Sequence, residues 1–448
     1  MPAAAPSIAA RIAPASLSTP AIIRRCMALL LVLAALALAG SLWASSAARD
    51  AAQTIGRDAE PSVALALRMA ATLSDMDAAA LADSLTDSGG ATGTSLRFFE
   101  SRDRLAHDLI EAARNVTYGE AEAGPLRALL RQVVLYQQAV TEARYIGAGD
   151  RYITLRRVQW ASRVNRNFAI PEAQALAAAN AQELERRYGI YRTGSLLHGL
   201  GAGVGGFALL TIALVLVQRW LTGRTRRILN PGLAGATLVT VAGGLWFAVA
   251  VLTTRNDLRI AKSDAYDSLH VLFEAKAAAN SLRSSASLWL LDPLAKPEAQ
   301  ADMDIAAQAL VGVPVAQIGI KRDYGGLLGQ ELGNITFGEA EKEAAVASVV
   351  TLTDAAGTIR TAQAREPQDH TGAVAAWLAT GSGGGAAAFA ALQRALDRTI
   401  AVNQDAFDRR VTSALDRTRL MPWVSSVALA VVALLSASGL WRRLREFR

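Results

Sequence analysis

Charge is what this sequence has least of, since only 19% of its 448 residues are Asp, Glu, Lys or Arg and 52% are hydrophobic. Four stretches hold no such residue at all: Cys26 to Ala48, Thr193 to Gln218, Ile228 to Thr254 and Leu420 to Trp441. Cysteine occurs once, as Cys26, which excludes an intrachain disulfide. The four histidines, His107, His198, His270 and His370, fall at no metal-ligand spacing, so the sequence implies neither a metal nor another cofactor. No hydrolase, kinase or metalloenzyme signature is present, and a non-enzymatic role is expected. Strand-like alternation of polar and apolar residues is nearly absent too.

What is there begins with those four stretches. Each is long enough to cross the hydrocarbon of a bilayer, which takes roughly 20 helical residues. Trp43, Trp220, Trp423 and Trp441 stand at their ends, where amphipathic rings prefer the interface. Lysine and arginine in short segments resist translocation and set the topology. Arg11, Arg24 and Arg25 precede the first stretch, Arg219, Arg224, Arg226 and Arg227 link the second and third, and Arg442, Arg443, Arg445 and Arg448 follow the fourth, with Glu446 the one acid among them. These segments are therefore expected in the cytoplasm of a bacterial cell with the apolar stretches in its inner membrane. They hold 11 basic and 1 acidic residue of the chain's 46 and 39, which leaves 35 and 38 outside. The net charge of +7 is thus a topology signal, and no nucleic-acid partner is expected. The first stretch also has a signal-peptide reading, because Arg24 and Arg25 precede it and small residues close it. Its length, and the equivalent place of the third stretch in the repeat below, favour a retained span.

The predicted organisation is a cytoplasmic segment 1–25, span 26–44, an extracytoplasmic helical bundle 45–195, span 196–218, a basic cytoplasmic loop 219–231, span 232–253, a second extracytoplasmic bundle 254–419, span 420–441 and a basic tail 442–448. The two outer segments read as copies. Asp58-Ala59-Glu60-Pro61-Ser62-Val63 matches Asp264-Ala265-Tyr266-Asp267-Ser268-Leu269 at an offset of 206, and Asn180 to Arg187 matches Asn403 to Arg410 at an offset of 223. The second copy thus holds extra residues in its middle. Apolar and small residues recur at helical spacing, as in Val271, Ala275, Ala278, Leu282, Ser285 and Trp289. Breaks at 88–93, 119–125 and 147–149, and at 292–297, 312–338 and 381–385, predict about four helices per copy. The fold class expected is all-α: four membrane helices and two tandem bundles, with the bundles continuous with their spans except at Gly189 and Pro422.

Few residues stand out as sites. Gly201 to Gly206 fits a dinucleotide fingerprint but lies in a membrane span after no strand, so it reads as a close-packing face. Asn115-Val116-Thr117 and Asn334-Ile335-Thr336 match glycosylation sequons, which are short enough to arise by chance. Asn180 and Asn403 interrupt apolar stripes at equivalent places. They read either as register-fixing polar residues or as ligand and conformational-switch positions. Arg219, Arg224, Arg226, Arg227, Arg442 and Arg443 suit anionic membrane lipid or a docking cytoplasmic protein. Transport is disfavoured, because no ionisable group other than His198, near an outer edge, lies within the spans.

Asp58-Ala59-Glu60-Pro61-Ser62, Ser287-Leu288-Trp289-Leu290-Leu291-Asp292 and the run from Gly326 to Phe337 resemble phrases of the GlnX-type four-span membrane proteins. The resemblance implies a relay from an extracytoplasmic glutamate/aspartate-binding protein to a cytoplasmic Ser/Thr kinase. It makes Trp289, Asp292, Asn334 and Phe337 candidates for the outer docking surface. The bundles also resemble chemoreceptor-like four-helix sensor domains, which implies direct binding of a small molecule as an alternative. An envelope assembly factor is a third reading. Since the duplication supplies four membrane helices in one chain, a functional monomer is expected.

Overall fold

Apolar and small residues recurring at three- and four-residue spacing favour helix, and the computed structural model is helical through most of its described length. It describes residues 19–86, 93–146, 150–195, 201–225, 230–321 and 323–445. Among the described residues there is no strand, and the nearest approach to one is an isolated bridge between Ile318 and Lys321. The helices are α1 (Thr19–Gln53), α2 (Glu60–Ser84), α3 (Gly93–Arg114), α4 (Glu120–Ile146), α5 (Arg151–Val164), α6 (Ile170–Ser195) and α7 (Gly205–Thr225). They continue as α8 (Pro231–Ile260), α9 (Asp267–Leu291), α10 (Lys296–Val311), α11 (Gly326–Gly333), α12 (Glu339–Arg365), α13 (His370–Leu378) and α14 (Gly385–Arg445). The all-α class expected from the periodicity is thus the observed one. Four helices are long and apolar enough to cross a membrane, within Pro20–Ser84, Gly201–Gly223, Pro231–Leu291 and Gly385–Arg445.

The helix boundaries follow local chemistry. Asp150 caps α5 by accepting from the backbone N–H groups of Tyr152 and Ile153, and Asp369 caps α13 through Gly372 N–H. Gly312, with φ +75°, ends α10 in the left-handed conformation that a side chain disfavours. Gly189 lies inside α6 and Pro422 inside α14, so neither interrupts its helix. Single π-helical turns join α1 to α2 (Thr54–Ala59), α5 to α6 (Asn165–Ala169) and α8 to α9 (Ala261–Tyr266). Such turns widen the helix by one residue and recur at functional positions.

The chain divides into two units. The apolar one takes residues from 19–51, 190–256 and 413–445 and packs α1, α7, α8 and α14 about one core that includes Leu30, Phe207, Leu214, Phe247 and Val432. Glycines bring its helices close. A Cβ on Gly206 would lie 2.8 Å from Ala37 Cα, and one on Gly232 would lie 2.8 Å from Gly439 Cα. At the second crossing Asn230 donates to Gly439 O at 3.0 Å. The Gly201 to Gly206 run thus serves helix packing at Gly206.

The larger unit comprises Ala52–Gly189 and Asp257–Thr412 and holds residues of both polar segments. In it α2 lies along α9, α3 packs on α2, α10 on α9, and α5 on α4. One core joins Leu282, Leu310, Leu352, Phe389 and Leu396, and a smaller one joins Leu81, Val158 and Leu288. The extra residues of the second segment form short pieces, among them a 3-10 turn at Val315–Gln317 and α11. Residues 88–92 and 147–149, where breaks were expected, and Arg11, His198, Arg226, Arg227 and Arg448, lie outside the described residues.

Candidate functional site

Helix α2 is mostly Ala, Leu and Met, yet Asp75 and Asp77 stand in its buried middle. An unpaired buried carboxylate is costly, so each has recruited cations. Asp75 accepts from Arg97 Nη2 at 2.6 Å and from Ser101 Oγ at 2.8 Å, with Arg104 at 3.5 Å. Burial pushes the Asp75 carboxyl up, but Arg97, Arg283 and Ser101 together hold it below the usual carboxylate range. Asp77 accepts from Ser162 Oγ at 2.9 Å and from Arg166 Nε at 3.3 Å. Arg166, in the π turn between α5 and α6, also donates to Asp302 Oδ2 at 2.7 Å and to Ser284 Oγ at 2.8 Å. It thereby ties the first polar segment to α9 and α10 of the second. Arg283 on α9 is buried beside this layer. Burial, and then the Arg97 charge, bring its guanidinium down to about 10, and its Nη1 has no hydrogen-bond partner.

Two grooves flank the layer. The first, about 590 Å³, lies between the α5–α6 region and α9–α10. The second, about 320 Å³, lies between α2–α3 and α9–α14. On α9 the first groove is lined by Glu274, Ala277, Ala278 and Ser281, and on α2 the second is lined by Arg68, Ala71, Thr72 and Asp75. These positions differ by 206 throughout, the offset of the matched phrases at the front of the two segments. Ile170 and Gln174 of the first groove and Gln393 and Asp397 of the second differ by 223, the offset at the back.

A second matched pair of features sits at two turns. Asn115 donates to Ser62 Oγ at 2.7 Å, and Asn334 donates to Ser268 Oγ at 2.9 Å. Glu122 Oε2 accepts from Thr117 and Tyr118 N–H at 2.6 and 2.7 Å, and Glu341 Oε2 accepts from Thr336 and Phe337 N–H at 2.8 and 2.7 Å. Gly119 and Gly338 supply the positive φ, +66° and +94°. Each turn closes the N-terminus of the following helix with a carboxylate, as helix capping requires.

The family model described as the actinobacterial sensor domain matches residues 51–189. That range runs from the end of α1 through most of α6. No curated protein and no solved structure matches the chain. The match supports a sensing or signalling role in general terms, and with four apolar helices it marks a membrane protein.

Asn180 is buried on α6 and donates to Leu176 O of its own helix, and its Oδ1 has no partner. Asn403 is buried on α14, where its Nδ2 donates to Thr399 O and to Glu331 Oε1, both at 3.2 Å. Burial, then the charge of Glu341, raise Glu331 to about 7. Trp289 is half-buried under Lys296, whose Nζ stands 4.4 Å from the ring centroid. Asp292 is buried, accepts from Gln159 Nε2 and from Leu294 N–H, and lines the first groove. Asn334 and Phe337 belong to the second turn, and Phe337 is half-buried. Arg219 is exposed on α7 and Arg442 on α14, Arg443 is half-buried, and Arg224 falls in the last turn of α7.

Asp75, Asp77, Arg166 and Arg283 belong to no motif in the sequence. The signal was there, in two aspartates and an arginine amid apolar and small residues of α2 and α9. The phrase Asn115 to Glu122 likewise recurs as Asn334 to Glu341 with conservative changes at two places, a repeat longer than the two matched sequons.

Proposed function

We propose that this protein is a signal relay of the bacterial inner membrane, with four spans, both termini cytoplasmic and the larger unit outside. In this reading the larger unit is a pair of sensor repeats within one chain. The equal offsets of the two grooves and the identical bonding of the two turns support that duplication. The input side fits the GlnX resemblance, in which an amino-acid-type solute-binding protein docks outside. The output passes to a cytoplasmic Ser/Thr kinase on the same resemblance, with the basic loop Arg219 to Arg227 as the surface it meets.

The observation that carries the proposal is α14. One helix, Gly385–Arg445, holds both the buried Asn403, bonded to the titratable Glu331, and the basic residues Arg442 and Arg443. A small axial shift or rotation at Asn403 alters the helix that presents those arginines. Membrane lipid is the second partner of the basic residues. The test is in-cell photo-crosslinking from position 219 on α7, with the captured protein assayed for Ser/Thr kinase activity. A kinase should be captured, with a yield that changes in N403L. Absence of any cytoplasmic partner, or a yield indifferent to N403L, would count against the relay.

A further inference from the structure

The first groove has its charges sorted by wall. The α5–α6 side presents Arg156, Arg163 and Arg166 and no acid, and the α9–α10 side presents Glu274, Asp292, Glu298 and Asp302 and no base. In the second groove the signs are mixed, with Arg97 and Glu100 on one wall and Lys276 closing on Asp397 across the other. Equivalent positions in the two segments have thus come to carry different electrostatics, and only the first groove sets a positive face against a negative one.

We infer that the first groove binds a small zwitterionic solute of free amino-acid class directly, its carboxylate on the arginine wall and its ammonium on the acidic wall. Several groups suit that occupant. Arg163 lines the groove, is exposed and makes no ion pair among the described residues, so a ligand carboxylate meets an uncommitted guanidinium. Glu298 is exposed on the opposite wall and contributes negative charge beside Asp302. Ser285 also lines the groove, and its buried Oγ has no hydrogen-bond partner. Arg166 lines the groove and is bonded to both Asp77 and Asp302, so an occupant that competes for Asp302 changes the tie between the segments. The volume falls in the usual range for small-molecule sites.

The inference rests on the sensing role proposed above and adds a direct input to it, alongside docking of a binding protein. The test is calorimetry on the purified full chain in nanodiscs with no other protein present. The probes are the free amino acids and glycylglycine, with acetate and ethylamine as one-ended controls. At least one zwitterion should bind, and R163Q and E298Q should each weaken it about tenfold, the effect of losing one charge-assisted hydrogen bond. S285A should weaken it less. Melting temperatures of the variants check that each remains folded. Binding of no zwitterion, equal binding of the one-ended probes, or affinity unchanged in both charge variants overturns the inference. Each of these results leaves the crosslinking test of the relay intact, so the two readings fail separately.

Discussion

Glu331 shows how a single buried carboxylate makes stability depend on pH. Its carboxyl is raised to about 7 in the folded protein, by burial first and the Glu341 charge second, against roughly 4.3 for a free glutamate. Between these values the unfolded chain has lost its proton while the folded chain still holds it. Stability therefore falls as pH rises through that window and levels off above it, by an amount on the order of 3 kcal/mol. The E331Q variant should melt with a flatter pH dependence between about pH 4.5 and 7 and should be the more stable form at pH 8. Thermal melting in detergent at several pH values checks this, and an unchanged profile would remove Glu331 as the cause. Glu60 behaves alike. Burial, then the Asp408 charge, raise it to about 8, so E60Q should flatten the profile over a window that extends further up.

At the scale of elements, the α2–α9 pair owes its specificity to charge as much as to apolar contact. Asp77 is buried and Arg166 largely so, and removing the cation alone leaves a buried carboxylate with Ser162 Oγ but no opposite charge. R166M should therefore cost about 3–5 kcal/mol, and the double variant D77N/R166M should recover part of that loss. A double-mutant cycle on melting free energies measures the coupling, and additive losses would mean that the pair does not act together. The two capping turns make a milder prediction. Loss of either carboxylate strips two backbone N–H groups of their acceptor, so E122A and E341A should each cost about 1–2 kcal/mol. Similar costs at both sites are expected if the turns are equivalent. In the apolar unit, G206L should disturb packing more, because a Cβ there meets the Ala37 backbone, which has no flexible end to move aside.

At the scale of the whole molecule, the expectation concerns Asn180 and Asn403, which stand at matched sequence positions in unlike surroundings. Asn180 is bonded within its own helix, whereas Asn403 also reaches the titratable Glu331 on α11. If the relay works through α14, N403L should change the output and N180L should mainly stabilise the bundle. Kinase crosslinking yield and melting temperature, measured on both variants, separate these effects. Equal effects of the two substitutions on output would assign the switch to both helices.

Some of this was determined by sequence alone. Four charge-free stretches must be helices of membrane length, because unpaired backbone polar groups are intolerable in hydrocarbon. The all-helical class followed from periodicity, since apolar spacing of three and four residues needs no knowledge of partners. The offsets of 206 and 223 were readable too, as was the expectation of breaks near Gly119 and Gly312. Only the tertiary structure decided which residues meet. Asp77 and Arg166 lie far apart along the chain, and so do Asn403 and Glu331; a local pattern carries no information on such pairings. The sorting of charge in the first groove was likewise invisible, because its walls come from helices of both polar segments. Periodicity records which face of a helix is buried, whereas the partner across that face depends on how the whole chain packs.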